Sequence, residues 1–202
     1  MKKIITFVTI LLVGLSAALA DEYVISNIEC YSSEGFYDRE LTFKYDDEED
    51  VYYICRYTYS TAYWFTFTPT QLEKLREVLS KTQEWVKIAS ENRTSITKEL
   101  PDSAISVRGI MKQGNNWYTT KWDIPLNFFF ISQISENSEL LTLFIRGNKE
   151  DYKQNQLIDI EFESVVFFDD GIEAFAKAIS PETIEAAKEK HAQEKKSEDL
   201  FN

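Results

Sequence analysis

The chain has one histidine, two cysteines and six glycines in 202 residues, and each shortage sets a class of chemistry aside. His191 sits in a charged run, Lys188-Glu189-Lys190-His191-Ala192-Gln193-Glu194-Lys195-Lys196, beside nothing that resembles a nucleophile arrangement. A Ser-His-Asp triad would have to use it, which argues against that mechanism. One His and two Cys fall short of the four donors a structural zinc site usually takes. There is no GxGxxG and no GxxxxGK[ST], so no nucleotide-cradling loop is indicated. Cys30 and Cys55 do not form a CxxC, which disfavours redox catalysis. The expectation is no catalytic residue, no metal ligand and no cofactor.

Basic charge is also scarce. There are 34 acidic residues against 22 basic, a net charge of −12 at pH 7. Such a chain repels phosphate backbones and anionic membranes, so nucleic acid is not an expected partner. Long apolar runs are missing after the first residues. Met1 to Ala20 reads as a secretory signal peptide: Lys2 and Lys3 lead, Ile4 to Leu15 is apolar, and Ala18-Leu19-Ala20 is the cleavage site. Without Lys2 and Lys3 the balance is 20 basic to 34 acidic residues, a net charge of −14. The mature chain is expected to begin at Asp21, to be exported from a bacterial cell, periplasmic or secreted, and to keep no transmembrane segment. At 44% hydrophobic and 14% aromatic it is too apolar for a disordered chain.

The stretch from Trp64 to Ser90 organises the remainder. Thr68-Pro69-Thr70-Gln71 is a helix start: a capping side chain, a proline at the first helical position and a capping-box glutamine. Leu72, Leu75, Leu79, Thr82, Val86 and Ala89 recur at helical spacing. Glu73/Arg76, Glu77/Lys81 and Glu84/Lys87 pair on the other face. At an offset of 100 residues, Phe67, Leu72, Leu75, Val78 and Leu79 line up with Phe167, Ile172, Phe175, Ala178 and Ile179. This alignment makes an internal duplication a candidate. Asp170 and Glu173 have capping-box spacing, and Ser180-Pro181-Glu182 restarts a helix.

Strands are expected over Tyr23–Cys30, Glu40–Tyr45, Val51–Tyr59 and Ala62–Thr68. A second set is expected over Ala104–Lys112, Trp117–Asp123, Phe128–Ser135, Leu140–Arg146 and Leu157–Phe168, with Gly147 to Asn155 a loop. The organisation is then 1–20 signal peptide, 21–92 an N-terminal β4α half, 93–180 a β-rich half ending in a helix, and 181–202 a charged helix or tail. The fold class is α+β: antiparallel sheet with two packed amphipathic helices in a β4α-β4/5α order. A single antiparallel barrel or sandwich with packed helices is the alternative. The element order is similar to that of PUR-repeat and Whirly-type single-strand-binding proteins. That analogy rests on order alone, with no shared motif, and carries no function.

Three groups of residues are candidates for a role. In an exported protein, Cys30 and Cys55 read as a disulfide, or else as two buried thiols. Asp46-Asp47-Glu48-Glu49-Asp50 supplies oxygens for calcium, but without EF-hand spacing it reads better as a solvated turn. Tyr57, Tyr59, Trp64, Trp117, Tyr118 and Trp122 would form an aromatic face if they escape the core. The function expected is a non-enzymatic binding or interaction module, using an aromatic sheet face or strand edge to hold a protein, peptide or glycan. A hydrolase with paired carboxylates and a structural envelope-associated protein acting through the charged C-terminal helix are the alternatives.

Overall fold

A computed structural model describes residues 22–34, 38–153 and 155–199; the expected signal peptide lies outside the described residues. Four strands run as an antiparallel meander: β1 (Glu22–Ser32), β2 (Asp38–Asp46), β3 (Val51–Tyr57) and β4 (Thr61–Phe67). Helix α1 (Pro69–Asn92) follows. Then come β5 (Ile96–Glu99), β6 (Ile105–Gln113), β7 (Asn116–Thr119), β8 (Ile124–Ile134), β9 (Glu139–Arg146), the hairpin β10 (Lys149–Tyr152) and β11 (Asn155–Glu161), and β12 (Val165–Phe168). Helices α2 (Asp169–Ala178) and α3 (Pro181–Asp199) end the described chain.

The sheet closes on itself. β12 returns to β1 through Tyr31↔Val166 and Ser32↔Val165. β6 pairs with β4 on one edge and with β8 on the other, through Ile105↔Leu126, Ser106↔Pro125 and Val107↔Ile124. The cycle β1-β2-β3-β4-β6-β8-β9-β12 is a closed eight-stranded antiparallel barrel, and strands make up 49% of the described residues. Among the described residues the fold is therefore mostly β with three helices, which corrects the α+β expectation of antiparallel sheet packed by two amphipathic helices. The PUR and Whirly analogy falls with it. The physical reason is the edges. Each set of four strands alone would leave two unpaired edges, and closure removes them.

Side chains alternate across the wall, with the inward positions apolar and the outward ones mixed: Phe129, Ile131, Phe144 and Phe168 share the outer face with Lys44, Thr66 and Arg108. Phe43, Ile54, Phe65, Phe67, Val107, Phe128, Leu143 and Phe167 fill the barrel and are almost fully buried. Among the described residues no helix is long and apolar enough to cross a membrane.

The helices cover one end. β4 and β12 run in the same direction, so α1 and α2 both leave from that end. Thr68 Oγ1 accepts from Gln71 N, and Gln71 Oε1 accepts from Thr68 N, completing the expected capping box. Leu72, Leu75, Val78 and Leu79 then bury against the barrel, while Trp85, Val86 and Ala89 reach on to Phe130 and Leu141. In α2, Phe175 stacks on Phe167 at 4.7 Å. Its N-cap is Phe168, without a side-chain cap, so the Asp170/Glu173 box is not made.

The other end is closed by chain. The expected strand over Leu157–Phe168 breaks between β11 and β12, and Phe162 turns inward onto Phe65 at 4.5 Å. Phe162 N donates to Asn148 O at 2.9 Å, and Gly147 N donates to Ser164 Oγ at 3.0 Å. A Cβ on Gly147 would overlap the Phe162 carbonyl, so the backbones meet there only because glycine has no side chain.

Candidate functional site: the wall cleft and the outer wall

The barrel wall has a gap. The β2–β3 ladder stops at Thr42↔Cys55. Yet β2 continues through Leu41 to Asp38 with β1 as its partner, and β3 continues through Arg56 and Tyr57 with β4 as its partner. Two strand ends therefore diverge as a wedge, each paired on one side. A cleft of about 620 Å³ occupies it, lined by Asp38, Arg39, Glu40 and Thr42 from β2, Arg56, Tyr57 and Thr58 from β3 and its turn, and Glu34, Glu161 and Glu163. That volume lies within the range of ligand pockets, roughly 300–1,000 Å³.

Glu163 sits at the floor of this cleft. Ser32 Oγ donates to Glu163 Oε1 at 2.7 Å, Arg56 Nη1 bonds Oε2, and Arg39 Nε lies 3.7 Å from the same oxygen. The Arg56 guanidinium also lies 4.7 Å from the Tyr63 ring centroid, and its Nε has no hydrogen-bond partner among the described residues. Burial pushes the Glu163 carboxyl up, but the Ser32 hydroxyl and the two guanidiniums outweigh it and hold it below the ordinary value. The pair thus works as a fixed, ionised clasp between β1, β2, β3 and the β11–β12 connection.

On the outer wall beside the wedge, three rings from β3, β4 and β7 meet. Trp64 packs on Trp117 at 5.1 Å and edge-on to Tyr57 at 5.9 Å. Trp64 is only 7% exposed, covered by its neighbours, while Trp117 is 43% and Tyr57 50% exposed. Lys112 Nζ lies 5.0 Å from the Trp117 ring centroid and Lys44 Nζ 5.8 Å from that of Tyr57. Trp64 Nε1 has no acceptor among the described residues. Tyr57 belongs both to this strip and to the cleft wall, so the two features adjoin.

Of the six aromatic residues singled out from sequence, Tyr57, Trp64 and Trp117 are thus brought together. Tyr59 is fully exposed in the β3–β4 turn. Tyr118 points to the opposite face of β7 and packs edge-on to Tyr152 at 4.9 Å. Trp122 is exposed beyond β7, with Lys121 Nζ 5.8 Å from its ring. The disulfide expectation is corrected: Cys30 and Cys55 are free and buried. Cys30 pairs with Arg39 and Cys55 with Thr42, three residues apart on β2, so the two thiols face opposite sides of the wall with a strand between them. Burial pushes both thiols up to about 12. The acidic turn is organised by Asp46, whose Oδ1 accepts from Glu48 N at 3.0 Å and Glu49 N at 3.1 Å. The Glu163 clasp was missed from sequence. An inward-facing charge at a strand end looks the same as a solvated turn charge until the barrel is closed.

Fold and site together define a class: a packed eight-stranded barrel, capped by helices at one end, with a cleft and an aromatic strip at the other. No protein-family model, no curated protein and no solved structure matches the chain. Its reading therefore rests on its own chemistry.

Proposed function

We propose that this protein is an exported, non-enzymatic binding module, periplasmic or secreted, whose ligand docks on the Tyr57–Trp64–Trp117 strip. The observation that carries this reading is the meeting of three rings from three strands on the outer wall. The barrel interior is already filled by other side chains, so the fold does not require them there. Tyr and Trp are enriched where an apolar body and a polar tip must serve one contact. A hydrolase receives less support. The most enclosed carboxylate at the cleft, Glu163, is held ionised by two arginines and cannot serve as a general acid near neutrality.

The test uses the tryptophan emission of the purified protein, titrated with soluble oligosaccharides and with a phage-displayed peptide library. Trp117→Ala and Tyr57→Ala should each weaken the ligand found by about tenfold or more, the scale of an interface anchor, with unchanged circular dichroism. Binding that survives both substitutions overturns the reading.

A further inference from the structure

We infer that the wedge between β2 and β3 accepts an extended, basic polypeptide segment as an added strand. The inference rests on the binding-module reading and names its ligand class. Its basis is the interrupted ladder. Asp38–Leu41 pairs with β1 alone and Arg56–Tyr57 with β4 alone, and no backbone pairing joins the two segments among the described residues. Backbone groups on such an edge are a template for another strand. The cleft supplies space between the two edges, and the exposed Tyr57 ring forms one wall.

Charge selects the occupant. The lining carries the carboxylates of Glu34, Asp38, Glu40, Glu161 and Glu163 against the guanidiniums of Arg39 and Arg56. Both arginines face Glu163, and five carboxylates against two guanidiniums leave the lining at a net charge of −3. Asp38 and Glu40 are exposed on the β2 edge itself. Edge charges of one sign block neutral and acidic strands, and the same charges favour a lysine- or arginine-bearing one. A second copy of this chain is disfavoured as occupant, because each carries a net charge of −12.

The experiment is calorimetric titration of the purified full chain with a short peptide alternating lysine and valine. Two control peptides accompany it: one with glutamate in place of lysine, and one with alternate backbone nitrogens methylated. The lysine peptide should bind, and more weakly as salt is raised. The glutamate peptide should not bind at the same concentrations. Methylation should weaken binding at least about tenfold, because it removes the ladder donors. Asp38→Lys with Glu40→Lys, both exposed positions, should abolish binding while leaving the circular dichroism unchanged. Equal binding by the methylated peptide reduces the effect to charge attraction and overturns strand addition, as does binding that survives the charge reversal. Failure of the lysine peptide to bind also overturns it. The broader reading still stands if another ligand depends on Trp117, and falls if Trp117→Ala and Tyr57→Ala leave every ligand unaffected.

Discussion

Glu163 joins four parts of the chain through one carboxylate. Its partners Ser32, Arg39 and Arg56 come from β1, β2 and β3, and it enters from the β11–β12 connection. Removing its charge leaves Arg56, itself mostly buried, facing a neutral group. Breaking a buried pair costs about 3–5 kcal/mol when the remaining charge is fully enclosed. Here solvent in the cleft reduces that, so Glu163→Gln should lower unfolding free energy at pH 7 by about 2 kcal/mol, read from urea denaturation. The pH dependence has a definite sign. The folded carboxyl is held below its ordinary value, so its contribution is fully present above the unfolded pKa and is lost as pH falls through the folded one. The gap between the native protein and Glu163→Gln should therefore close below about pH 4. A gap that stays constant down to pH 3 would show that the clasp contributes through shape and not through charge.

At the scale of elements, α1 was legible because every local signal agreed. Thr68, Pro69 and Gln71 mark its start, the leucine spacing marks its buried face, and the structure uses each of them. Phe67 with Leu72, Leu75 and Leu79, and Phe167 with Ile172, Phe175 and Ile179, are all buried. β5 and β10 escaped notice for the opposite reason. Ile96-Thr97-Lys98-Glu99 is exposed along its whole length and Lys149–Tyr152 is largely polar, so neither shows a buried face to read. α3 lies between these cases. Ile184 anchors its first turns. Beyond that, His191 stacks on Tyr23 at 4.1 Å, Lys188 lies 4.2 Å from the Tyr45 ring centroid, and Lys195 pairs with Asp47 at 3.5 Å. Contacts of this kind are worth about 1 kcal/mol or less each. Deleting Lys188–Asn202 should therefore lower Tm by no more than about 12 °C and leave ligand binding at the distant Tyr57–Trp64–Trp117 strip unchanged. A loss of that binding on truncation would shift the functional surface to α3.

For the whole molecule, the sequence showed strands and their two faces but not their closure. A period-two pattern with one apolar face is the same for an open sheet covered by helices and for a barrel filled by its own side chains. What separates them is which edges meet, and those contacts join parts of the chain that are far apart in sequence: Tyr31 with Val166, and Trp64 with Ile110. The sequence boundary near Asn92 consequently falls between two runs of strands that complete one barrel. Residues 22–92 alone would expose the inward faces of Phe43, Phe65 and Phe67 and the open edges of β1 and β4. The remaining residues would expose Phe128, Leu143 and Phe167 and the edges of β6 and β12. Neither half has a second layer broad enough to cover such a surface, because α1 and α2 lie across one end of the barrel. The expected outcome is a single cooperative transition, with tryptophan emission and far-ultraviolet circular dichroism following the same denaturation curve. Because the closing contacts are non-local, refolding should be slow for the size of the chain, with milliseconds to seconds as the expected scale. Each half produced separately should remain unfolded or aggregate, and mixing the two should recover native circular dichroism. Two separated transitions, or a soluble folded fragment from either half, would mean that the halves are stable units and that closure contributes little to the fold.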